Sequence, residues 1–139
     1  MSSVLERFNQ IQADISEHTS DLEDSTKIIA VSKTFSINHI QPLIKQGHIH
    51  FGENKVQEAE KKWKNIKNEN KNLKLHMLGK LQTNKAKKAV SIFDYIHSVD
   101  SKKLADILKK NEIEIGKKLA YFIQVNFADE KQKSGILPS

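Results

Sequence analysis

The sequence predicts an α/β fold of repeated strand–helix units with parallel strands, on three observations. Short apolar runs alternate with longer amphipathic stretches along the whole chain. The first of these runs, Ile28, Ile29, Ala30, Val31, is continuously apolar, as expected of a parallel strand covered on both faces. The 139 residues show no composition break that would mark a linker, so one domain spans 1–139.

The elements follow in order. Ser3 and Glu6 form a capping box that opens a first helix, in which Leu5, Phe8, Ile11 and Ile15 recur at helical spacing. Lys27 to Lys33 is the first strand. A second helix runs from an N-cap at Ser36 to a stop at Gly47, with Pro42 expected to bend or loosen its middle. The second strand is short, Ile49 to Phe51. A third helix follows Asn54, a natural N-cap, and carries Val56, Ala59, Trp63 and Ile66 on one stripe. Leu73 to Leu78 is the third strand, Asn84 to Ser91 the fourth helix and Tyr95 to Val99 the fourth strand. A fifth helix starts at Ser101 and reaches about Ile113, and the fifth strand is Ala120 to Phe127. Right-handed crossovers of this kind build either an open doubly wound sheet or a closed eight-stranded barrel. A barrel takes about 250 residues, so length leaves a complete open sheet or an incomplete barrel.

Composition excludes several chemistries. The chain has no cysteine, which removes disulfides, thiolate metal sites, iron–sulfur clusters and thiol nucleophiles. No apolar run approaches the roughly 20 residues that cross a bilayer, and the N-terminus opens an amphipathic stretch. The expectation is a cytoplasmic protein without a membrane partner. Net charge is +6, but the lysine doublets are scattered among carboxylates without clustered arginine or aromatic residues. A solvated lysine surface explains this better than a nucleic-acid footprint.

Ligands of such folds bind at the carboxyl ends of the strands, and these ends are polar here. They carry Ser32 and Lys33; Gly52, Glu53 and Asn54; His76 and Gly79; Ser98 and Asp100; Gln124 and Asn126. Lys33 directly follows an apolar strand, where partial desolvation would lower its pKa and make the amine a nucleophile able to form a Schiff base; a lysine snorkelling to solvent fits the same position. His76, between Leu75 and Met77, points away from its neighbours and reads either as a hydrogen-bonded core histidine or as a ligand contact. Metal binding has no support, because the other histidines (18, 39, 48, 50, 97) are spread along the chain. Neither GxGxxG nor GxxxxGK[ST] occurs, and there is no nucleophile elbow.

The same strand ends carry a resemblance. Ala30, Val31, Ser32, Lys33, Thr34; Phe51, Gly52, Glu53, Asn54 with Val56, Gln57, Glu58; His76, Met77, Leu78, Gly79 with Leu81, Gln82, Asn84, Lys85; and Ser98, Val99, Asp100 resemble the pyridoxal-phosphate homeostasis proteins. Gln124, Val125, Asn126 and Lys133, Ser134, Gly135 extend the match, so that it covers nearly the whole chain in order. The resemblance implies a partial TIM-type (β/α) barrel like the barrel domain of alanine racemase, here with about five of eight parallel strands. It implies pyridoxal 5′-phosphate as cofactor, held as a Schiff base on Lys33, with Asn54, His76 and Asn126 on the cofactor side. It further implies a carrier or regulator of the cofactor pool without established turnover, and no metal.

Family members continue through three more strands, where the resemblance places the main phosphate-binding groups. The chain is therefore expected to be a C-terminally truncated or split-gene product. Losing two or three phosphate hydrogen bonds at roughly 1.5–3 kcal/mol each would weaken retention by on the order of 3–9 kcal/mol. Open sheet edges would favour low stability, or association with another chain or a separate C-terminal half. Two alternatives stand beside this reading: a non-functional fragment of the family, and a basic nucleic-acid-binding α/β domain.

Overall fold

The computed structural model describes residues 3–18, 26–127 and 135–137. Among these, α1 (Val4–His18), α2 (Ile37–Gln46), α3 (Val56–Glu69), α4 (Ala86–Ile92) and α5 (Lys102–Ile115) alternate with β1 (Ala30–Val31), β2 (His50–Glu53), β3 (Lys74–Met77), β4 (Tyr95–Val99) and β5 (Ala120–Ile123). A single 3-10 turn, Thr83–Lys85, leads into α4.

All five strands are parallel and lie in the order β1-β2-β3-β4-β5. This order resolves the alternative that length left open. A doubly wound sheet reverses direction at a switch point and places helices on both faces. An unreversed order with crossovers of one hand places every helix on the same face, which is the plan of a TIM-type barrel. The packing agrees: Phe8 of α1, Leu43 of α2, Trp63 of α3, Val90 of α4 and Leu108 of α5 share one buried cluster with Phe51, Leu75 and Ile96 of the sheet. The fold is a partial TIM-type barrel of five parallel strands.

Local signals explain most boundaries. Ser3 Oγ accepts the Glu6 N–H at 3.0 Å and the Glu6 carboxylate accepts the Ser3 N–H at 3.2 Å, completing the capping box. Gly47 ends α2 in the left-handed region at φ 102°, its N–H donated to Ile44 O. The Ser101 hydroxyl caps α5 by accepting the Leu104 N–H at 3.1 Å. Pro42 sits inside α2, whose residue range nevertheless runs unbroken.

Four expectations are corrected. Strand one is two residues long, not seven, because β1 has a ladder partner on one side only among the described residues. Strand five ends at Ile123, and beyond it Val125 makes only an isolated bridge to Ile136. Lys55, not Asn54, occupies the N-cap position of α3. In the first helix only Phe8 of the apolar stripe is fully buried, and Ile11 stays exposed. Lys133 and Ser134 lie outside the described residues.

Candidate functional site

Lys33 stands on the rim where the strands end. Its neighbour Ser32 extends β1 by donating its N–H to Gly52 O at 2.9 Å. The chain then turns, with Phe35 N–H donated to Ser32 O at 3.2 Å, so that Lys33 and Thr34 are the two central residues of a β-turn. Thr34 adopts φ 65°, the left-handed region that favours glycine or asparagine. Lys33 itself is exposed and makes no hydrogen bond or ion pair among the described residues. The desolvation expected from its place after an apolar strand is therefore absent at this exposed position.

Beneath the turn lies a buried polar network. Glu53, the last residue of β2, is fully buried, and its Oε2 accepts from Ser32 Oγ at 2.5 Å, Trp63 Nε1 at 2.8 Å and Lys62 Nζ at 3.0 Å. Lys62 also donates to Ser32 O at 2.5 Å, and Glu58 Oε1 accepts the Thr34 N–H at 2.5 Å. The other oxygen of Glu53 is buried without a partner, an arrangement that folded proteins seldom tolerate. Lys62 is not singled out by the sequence, and Glu58 stands there only within the resemblance, without a role at the site. The signal that could have found them is their spacing of four on α3, which puts both on the face turned to the end of β2.

Asn54 follows on the adjoining strand. A Cβ at Gly79 would run into the Asn54 backbone, so glycine at 79 is what lets the ends of β2 and β3 approach. A cavity of about 400 Å³ beside Asn54 is lined by Lys55, Gln57, Lys80, Gln82 and Lys85 and does not include Lys33. The structure thus brings Lys33 and Asn54 to the ends of neighbouring strands. Asn126 lies past the end of β5, where its N–H is donated to Ile136 O at 2.7 Å.

His76 sits below the rim. Pairing in register, Phe51, Leu75 and Ile96 face the helices, which leaves His50, His76, Tyr95 and His97 on the opposite face. His50 Nδ1 and His76 Nε2 are hydrogen-bonded at 2.9 Å, and His76 Nδ1 and His97 Nε2 at 2.8 Å. The His76 ring stacks on Tyr95 with centroids 4.2 Å apart. Three histidines that are spread along the chain therefore meet in space, because each occupies the same face of its strand. They are joined ring to ring, and among the described residues no three ligating side chains are arranged to hold a metal ion. Burial, helped by the neighbouring His97 and His50 rings, pushes the His76 pKa down to about 3. Burial also lowers His50 and His97. The chain is a row of neutral imidazoles.

No family model matches the sequence. Individual relatives do. A protein of Pasteurella multocida named pyridoxal phosphate homeostasis protein is 39% identical over 117 residues, 84% of this chain and 50% of that protein. One of Vibrio cholerae with the same name is 33% identical over 143 residues, 99% of this chain and 61% of that protein. The chain is a homologue of the pyridoxal phosphate homeostasis proteins. Among solved structures, PipY of Synechococcus elongatus, 40% identical, matches with TM-score 0.78 without pyridoxal phosphate and 0.75 with it bound, over 91% of this chain and 57–58% of PipY. The homologue described here spans about half the length of the curated relatives it matches. No helix among the described residues is long and apolar enough to cross a membrane.

Proposed function

We propose that this chain binds pyridoxal 5′-phosphate and serves its homeostasis as a carrier or regulator in the cytoplasm, with Lys33 holding the cofactor as a Schiff base. The observation that carries this reading is the contrast at Lys33: its neighbours Ser32 and Thr34 are tied to β2 and α3, while its own amine is unengaged among the described residues and open to solvent. A lysine that condenses with an aldehyde needs both a fixed position and an accessible amine. When bound, the cofactor supplies an aldehyde carbon; its bond to the Lys33 nitrogen forms as the carbonyl oxygen leaves as water. Asn54 offers an amide from the neighbouring strand end, and Asn126 one from beyond β5. His76 contributes differently from a direct contact: both of its ring nitrogens are already bonded to His50 and His97, so binding a ligand atom would break one of those bonds.

The relatives' names describe homeostasis and not a reaction, which supports a non-catalytic role. The solved PipY structure with pyridoxal phosphate supports the choice of cofactor. The relatives and the solved structure that match this chain are named for pyridoxal phosphate and not for nucleic acid, which favours the cofactor reading over a basic nucleic-acid-binding domain.

The test is to add pyridoxal 5′-phosphate, trap the adduct with borohydride and map the modified peptide. Saturable labelling concentrated on Lys33 is expected. Labelling spread evenly over many lysines would refute the assignment, and absence of saturable binding would favour a fragment without function.

A further inference from the structure

The turn carrying Lys33 is anchored at four atoms, and all four anchors come from β2 and α3. Gly52 O takes the Ser32 N–H, Glu53 takes the Ser32 hydroxyl, Lys62 donates to Ser32 O, and Glu58 takes the Thr34 N–H. None of them touches the Lys33 amine. We infer that Glu53, Glu58 and Lys62 form a clamp that positions Lys33 for its aldehyde ligand by holding the Ser32–Phe35 turn in a conformation that Thr34 would otherwise leave. This rests on the reading of Lys33 given above.

The argument turns on Thr34. A β-branched residue at φ 65° is disfavoured by roughly tenfold relative to its ordinary conformations, so the turn persists only where its surroundings over-determine it. Glu58 does this by accepting the one backbone donor that this conformation presents. Both ends of the turn are fixed, at Ser32 by β2 and beyond Phe35 by the start of α2 at Ile37. A change at Thr34 must be absorbed by the residues between these ends, Lys33 on one side and Phe35 and Ser36 on the other, and the part that falls on Lys33 moves its amine relative to the rim. Glu53 and Lys62 hold the other half. Their ion pair at 3.0 Å is shielded from solvent, and both groups bond to Ser32. The three clamp residues are positioning residues.

Two readouts test this, one of them independent of the cofactor. The first is hydrogen exchange at the Thr34 amide. The second is the initial rate at which pyridoxal 5′-phosphate is trapped on Lys33, relative to the other lysines of the same sample. In Glu58→Ala, Thr34 exchange is expected to rise about tenfold and relative Lys33 labelling to fall about tenfold, with exchange of core amides such as Leu75 unchanged. Glu58→Gln keeps an acceptor oxygen and is expected to restore both. Adding Thr34→Gly to Glu58→Ala restores labelling, because glycine takes positive φ without strain. Unchanged Thr34 exchange or unchanged relative labelling in Glu58→Ala overturns the clamp, as does a uniform rise over all amides, which marks a general loss of stability. If the unmodified chain shows no preference for Lys33, the functional reading falls, and the exchange readout still reports whether the clamp holds the turn.

Discussion

On the helix-covered face of the sheet a buried carboxylate is paired with a largely shielded ammonium; on the opposite face a buried imidazole, His76, lies between two half-buried ones. The outer network joins Glu53, Lys62, Ser32 and Trp63, and opposite charges in contact offset the cost of leaving water. The inner row, His50, His76 and His97, has no counter-charge in the row and is tolerated because its members stay neutral. The difference teaches how each network fails. Removing one partner breaks the outer network, whereas adding a proton breaks the inner one.

Glu53→Ala gives the largest expected effect. It strands the Lys62 ammonium and leaves Trp63 Nε1 and the Ser32 hydroxyl without their acceptor, at a cost of about 3–5 kcal/mol in urea unfolding. A loss under about 1 kcal/mol would show that the outer network bears no stability. Acid is next. The His76 pKa lies below its unfolded value of about 6.5, so between pH 6.5 and 3 the unfolded chain binds more protons than the folded one. Stability is then complete above pH 6.5 and falls as pH drops toward 3, by on the order of 3 kcal/mol. Near the row, Asp94 favours the charged ring, while Lys27 and Lys74 oppose charge on His50. His76→Phe should flatten the slope, and a slope unchanged by it would remove the row as the acid-sensitive element.

Gly79→Ala probes the rim between the two networks. Its new methyl meets the Asn54 backbone, and a loss of about 1–3 kcal/mol is expected from thermal unfolding. The smallest effect sharpens the contrast by repeating the outer chemistry in water. Lys88 and Glu60 form an ion pair at 3.1 Å with side chains 54% and 37% exposed, and Lys88→Met should change stability by no more than about 0.5 kcal/mol.

Much of the architecture was readable residue by residue. Only Ala30–Val31 of the apolar run at 28–31 forms strand, and Val31 is exposed, not covered on both faces, whereas the Ser3–Glu6 box and Gly47 act through local geometry and land where expected. Boundaries that depend on a neighbour did not. The length of β1 follows from its having one ladder partner, and the start of α3 at Val56 shifts the cap from Asn54 to Lys55. At the site, Lys33 and Asn54 were legible as polar groups ending apolar strands. The turn that carries Lys33 was not, because it includes the left-handed conformation of Thr34, whose N–H is accepted by Glu58, 24 residues away.

Alternating apolar and polar segments and the lack of thiols were settled by residue order and composition, since these depend on nearest neighbours and on counting. Strand order, the sharing of one face by His50, His76 and His97, and the closure of Glu58 on Thr34 came from the fold, because each joins groups 19 or more residues apart. Periodicity says which way a side chain points from its own strand. It says nothing about which strand lies alongside.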